Sequence, residues 1–129
     1  MKTFNKISSL TLYVVALTMI VTVWFSINLQ PPAAINVFAG TDTYICLNEN
    51  LNMSVLNATI SGDVSDGDWI TLGDGKFMPG NVSTIRFSAN PTYIPGPNDK
   101  ILGSYSLMLI SDAPVNNPQA KVTDEVRIF

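Results

Sequence analysis

The chain of 129 residues has no histidine and a single cysteine, Cys46. Without histidine there is no Ser-His-Asp or Cys-His nucleophile system and no imidazole ligand for zinc or haem. One cysteine cannot build a Cys-rich zinc or iron–sulfur site, nor a disulfide within the chain. Charge is scarce too: charged residues make up 13% of the chain, and seven basic side chains against ten acidic ones leave a net charge of -3. That balance is a poor match for a phosphate backbone, so no nucleic-acid partner is expected. No nucleophile–base pair is evident, and neither enzymatic activity nor a cofactor is expected. After residue 40 the chain also lacks any useful stretch of 3.6-residue apolar period.

What is present begins with a targeting segment. Lys2 and Lys6 are the only charges before Asp42, and Leu10 to Leu29 is an uncharged run of twenty residues. As a helix this run would span ~30 Å, the thickness of a bilayer core, with the basic end held on the cytoplasmic side. Two readings stand: a cleaved signal peptide, or a retained membrane anchor at residues 10–29. Val37-Phe38-Ala39 before Gly40 fits a small-residue cleavage pattern, but it lies far beyond the apolar run. The expected organisation is 1–29 signal or anchor, 30–39 linker, and 40–129 folded domain. A linker of that length reaches at most ~33 Å when extended. Export places the domain in the cell envelope or outside the cell, with five basic and ten acidic side chains after residue 40.

Short runs of β-branched and aromatic residues, bounded by Gly, Pro, Asn and Asp, recur through this domain. Such spacing points to an all-β sandwich or barrel. The runs are 43–47, 51–60, 69–72, 76–78, 83–87, 104–111 and 122–129, about seven strands. Within 51–60, Leu51, Met53 and Val55 alternate on one face. Asp74-Gly75 between two apolar runs predicts a hairpin with a type I′ turn, and Pro95-Gly96-Pro97-Asn98 reads as another turn. In the strand 104–111, Tyr105, Leu107 and Leu109 share one face, and Ser106, Met108 and Ile110 share the other.

Several segments carry a resemblance. Ala39-Gly40-Thr41-Asp42-Thr43-Tyr44-Ile45-Cys46, then Gly67-Asp68-Trp69 with Gly73-Asp74-Gly75-Lys76-Phe77, then Tyr93-Ile94-Pro95 through Asp99 with Gly103 to Leu109, and finally Thr123 to Ile128, follow one another in order. Together they resemble the PKD-like, immunoglobulin-like domains of Bacteroidota cell-surface and secreted proteins, over about residues 39–129. The resemblance implies an antiparallel β-sandwich on the cell surface, here preceded by one hydrophobic N-terminal helix. It implies no particular ligand. Members commonly carry a second cysteine shortly before the last strand, whereas Val115 to Ala120 contains none.

Candidate residues follow from this frame. Trp69, Cys46, Tyr105, Leu107 and Leu109 are expected in the core, Trp69 between the sheets and Cys46, by the apolar alternation around it, as a small buried hydrophobe, with half of an intermolecular bridge as its alternative. Tyr105 resembles a tyrosine-corner residue. Asp63, Asp66 and Asp68 are weak metal candidates, because calcium needs several oxygen ligands on a tight turn, but their spacing is not that of an EF-hand and turns favour Asp anyway. Tyr44 and Phe129 are candidates for exposed aromatics, and Met108 and Ile110 for an apolar contact patch if uncovered. The expected function is a non-enzymatic envelope module with a protein partner, acting in contact, adhesion or surface assembly. A small carbohydrate-binding module is the alternative, and the membrane is a further partner if the N-terminal segment is uncleaved.

Overall fold

A computed structural model describes residues 33–46 and 49–129. The chain divides into two units, 1–32 and Ala33–Phe129, and the description concerns the second. The expected hydrophobic helix and membrane anchor fall outside the described residues.

The second unit is mostly antiparallel β-sheet with little helix, in line with an all-β sandwich. Its strands are β1 (Asn36–Phe38), β2 (Leu51–Asn52), β3 (Thr59–Ser61), β4 (Gly67–Thr71), β5 (Lys76–Met78), β6 (Thr84–Arg86), β7 (Thr92–Ile94), β8 (Tyr105–Ser111) and β9 (Thr123–Ile128). One short helix, α1 (Pro97–Leu102), precedes β8, and 3₁₀ turns occupy Met53–Leu56 and Phe87–Ala89. The strands form three sheets, β1-β3, β2-β7-β5 and β6-β4-β8-β9. β8 is the longest strand, and its alternation holds throughout: Tyr105, Leu107, Leu109 and Ser111 are buried and the residues between them half-buried. It lies between β4 and β9, with Trp69 opposite Leu109 on one side and Leu107 opposite Val126 on the other. Trp69, 1% exposed, centres a core shared with Phe77, Tyr93, Leu51, Val126 and Ile128.

Several expectations fail for local reasons. The run 51–60 is not one strand. Asn52 caps a 3₁₀ turn by accepting from the Ser54 N–H, and Asn57 leaves the turn in the left-handed conformation. A 3₁₀ helix repeats every three residues, so Met53 and Leu56 go inward and Val55 outward. The expected hairpin of β4 and β5 does not form either, because β4 pairs β6 and β8 while β5 pairs β7. Gly73 and Gly75 have negative-side φ values, so no type I′ turn is present. These glycines serve close approach instead: a Cβ on Gly73 would run into the Asp99 carboxylate, and one on Gly75 into the Tyr93 ring. The turn expected at 95–98 starts α1, with Pro97 in its first turn, the Asp99 carboxylate accepting from the Gly96 N–H, and Gly103 ending it at φ 68°.

The largest correction concerns the expected linker at 30–39. From Ala33 onward it belongs to the fold. β1 pairs β3 from Asn36–Ser61 to Phe38–Thr59, Val37 packs on the core, and Ala39 is fully buried. At Gly40 (φ 108°) the chain turns, held 2.6 Å from the Leu56 carbonyl oxygen at the place a Cβ would occupy. It then runs along β9: Thr43 N–H donates to Arg127 O (3.1 Å), Phe129 N–H to Thr43 O (2.9 Å) and Ile45 N–H to Phe129 O (2.9 Å). This pairing is parallel, so Thr43–Ile45 forms an outer edge beyond β9.

Candidate contact surface

The aspartates that crowd residues 63–74 in sequence separate in space. Asp63 accepts a hydrogen bond from the Ala33 N–H at 2.9 Å. Asp66 and Asp68 instead join Asp112, which sequence reasoning missed, around the Arg86 guanidinium at 2.8, 3.3 and 2.7 Å. Asp112 takes Arg86 with both oxygens, the strong bidentate arrangement. Asp66 also accepts from Gly67 N–H, Ser88 N–H and the Ser88 hydroxyl. Partial desolvation pulls the Asp66 pKa up, but these donors and Arg86 outweigh it and hold it down at about 2. The Arg86 hydrogen bond likewise lowers Asp112. Asp66 and Asp68 are thus engaged by a cation of the chain itself, and Asp63 stands apart from them. Among the described residues no group of three or more acidic or cysteine side chains is arranged to hold a metal ion.

A second acidic pair joins the buried Asp99 to the half-buried Asp74. Asp99 is 3% exposed. Its carboxylate accepts from Gly75 N–H (3.1 Å), Gly96 N–H (3.1 Å), Asp74 N–H (3.3 Å) and the Tyr93 hydroxyl (2.7 Å). Asp74 reciprocates by accepting from Asn98 and Asp99 N–H groups, and the Asn98 bond leads in lowering its pKa. The Tyr93 oxygen also lies 2.7 Å from the Thr71 hydroxyl. Burial first, and then the bond to Asp99, push the Tyr93 pKa upward. This knot joins the start of α1 to the loop between β4 and β5. Tyr105 differs: its hydroxyl is the one buried side-chain polar atom among the described residues without a hydrogen-bond partner. A tyrosine corner needs that hydroxyl bonded back to the chain, so the expected role is not carried by this side chain. Burial, then the Asp99 charge, raise its pKa too. Tyr105 lines a small cleft with Ile45, Pro95, Lys100, Ser104 and Phe129, of about 10 Å³, room for about one water molecule. Small-molecule sites are usually ~300–1,000 Å³.

The outer edge offers a surface of another kind. Tyr44 is 81% exposed. Its ring stacks on Phe129 at 5.2 Å between centroids and 29° between planes, and the Arg127 guanidinium lies 5.4 Å from the Phe129 centroid. Thr43 and Ile45 direct their backbone groups to β9, whereas no backbone partner of Tyr44 occurs among the described residues. Ile101 and Leu102 of α1, which sequence reasoning missed, are highly exposed, and Lys100 and Gly103 beside them share the cleft with Ile45 and Phe129.

Cys46 is exposed, which corrects its expected place in the core. The physical reason is parity. In an extended segment residues two apart share a face, so Tyr44 outside and Cys46 inside could not both hold. Ile45 is half-buried and its two neighbours point out. Met108 and Ile110 are half-buried on β8, flanked by Ile70 and Glu125 and by Asp68 and Thr123. They are not brought together with Tyr44 and Phe129, because Ile110 pairs at the opposite end of β9. No protein-family model, no curated protein and no solved structure matches this chain.

Proposed function

We propose that the chain is an exported, non-enzymatic module of the cell envelope that acts by protein–protein contact, in adhesion or surface assembly. The observation that carries this reading is the outer edge at Thr43–Ile45: among the described residues the Tyr44 backbone has no partner, and its exposed ring pairs with Phe129. Such edges are templates for adding a strand from a partner. The other chemistry-bearing groups are already engaged within the fold, Asp99 and Tyr93 by each other and by amides, Asp66, Asp68 and Asp112 by Arg86. The finer fold proposal is an immunoglobulin-like, PKD-like sandwich. It is supported by a buried tryptophan on β4, in the sheet that also holds the last two strands.

The test is affinity capture from detergent-solubilised envelope, with the full-length protein and its Tyr44→Ser variant as paired baits. The expected result is a discrete partner recovered by the first and lost with the second. A bait that recovers nothing and stays monomeric contradicts the reading. The carbohydrate alternative loses Trp69, which is buried, and its sequence candidates Tyr44 and Phe129 stack on each other. A glycan array without a binder removes it.

A further inference from the structure

We infer that the working form of the protein keeps residues 33–39, and that the Ala39–Gly40 bond, where the small-residue cleavage pattern falls, is not the one processed on export. The inference rests on the exported reading above and specifies how the chain is matured.

Residues 33–39 are fastened at four places. The Ala33 N–H donates to Asp63 at 2.9 Å. Gly62 packs so closely on Ala34 that a Cβ there would meet the Ala34 carbonyl. Three residues of β1 pair β3, with Val37 against the core. The Ala39 N–H donates to the Asp124 carboxylate at 2.8 Å, across 85 residues of sequence. Both residues of the candidate bond are buried, and Gly40 sits against Leu56 in a backbone conformation that suits only glycine. A leader peptidase reads Val37-Phe38-Ala39 on an unfolded chain, so burial would not shield the bond from it. A cut there removes β1, strips β3 of its partner in a two-stranded sheet, leaves Asp63 and Asp124 without these donors, and uncovers the face under Val37. Leader sequences are dispensable to the fold they deliver, and this segment is not.

Two measurements on the full-length protein test the inference. Intact-mass and N-terminal analysis of the protein from the cells that make it should find, in the envelope or extracellular fraction, a chain that starts at or before Ala33. A start at Gly40 overturns the inference while leaving export standing. A full-length chain confined to the cytoplasmic fraction removes the export reading, and the inference with it. Hydrogen exchange provides the second measurement. A peptide covering 34–41 should be protected comparably to one covering β3, at least a hundredfold slower than an unstructured chain. Exchange at the rate of a free tether overturns the inference.

Discussion

Asp99 and Asp66 each accept hydrogen bonds from four donors, and the two sites make an instructive pair. Around Asp99 the donors are three backbone amides and a tyrosine hydroxyl, none charged, and the site is buried. Around Asp66 one donor is a guanidinium shared with two more carboxylates, and that guanidinium is about half exposed. The inner site holds two loops together and would leave several orphan groups if broken. The outer site trades interactions with water and salt. Number of bonds is therefore a poor guide to importance here, and depth decides.

The sharpest break of that comparison is Asp99→Ala. It leaves the Gly75 and Gly96 amides and the Tyr93 hydroxyl facing an apolar methyl, and should cost about 3–5 kcal/mol in urea unfolding. Next comes a tyrosine pair within the same region. Tyr93→Phe removes a bonded hydroxyl and should cost about 1–3 kcal/mol, whereas Tyr105→Phe removes a partnerless one and should be neutral or stabilising. Equal losses would show that Tyr105 has a partner. At the outer site Arg86→Gln should cost no more than about 1 kcal/mol in low salt, and less as sodium chloride rises past 0.5 M, while the Asp99→Ala loss stays unchanged. The smallest effect is that of pH. The folded Asp66 pKa, about 2, lies below the ordinary 3.8, so its contribution is complete above pH ~4 and is lost as pH falls towards 2. Urea midpoints should fall over that window, and less so in Asp66→Asn.

The same contrast explains what the sequence revealed. β8 was legible because Tyr105 to Ile110 alternates and is paired on both sides, which makes periodicity and burial agree. The all-β character was legible from turn residues at short intervals. The acidic residues were misgrouped because their partners lie far along the chain: Arg86 and Asp112 are 26 positions apart and Asp99 and Gly75 are 24. Nothing local marks such pairings. β1 read as a linker because Pro31-Pro32 and Ala33-Ala34 precede a strand of only three residues, too short for a periodic signal. Cys46 was a different case: the apolar alternation around it reads as burial, but the same period of two places it on the face of exposed Tyr44, with Ile45 on the inner one. For the contact surface, Tyr44 and Phe129 were readable from alternation. Ile101 and Leu102 were not, because α1 is a single short helix hidden in a proline-glycine turn signature.

The central claim is that this domain meets its partner through the edge at Tyr44 and keeps its polar chemistry for itself. It is tested most directly by a photoreactive amino acid placed at position 44 of the full-length protein in the cells that make it, with position 115, 96% exposed on a distant loop, as the control. The account predicts a discrete crosslinked species from position 44 and none from 115. Adducts of equal yield from both positions, or none from either, would contradict it.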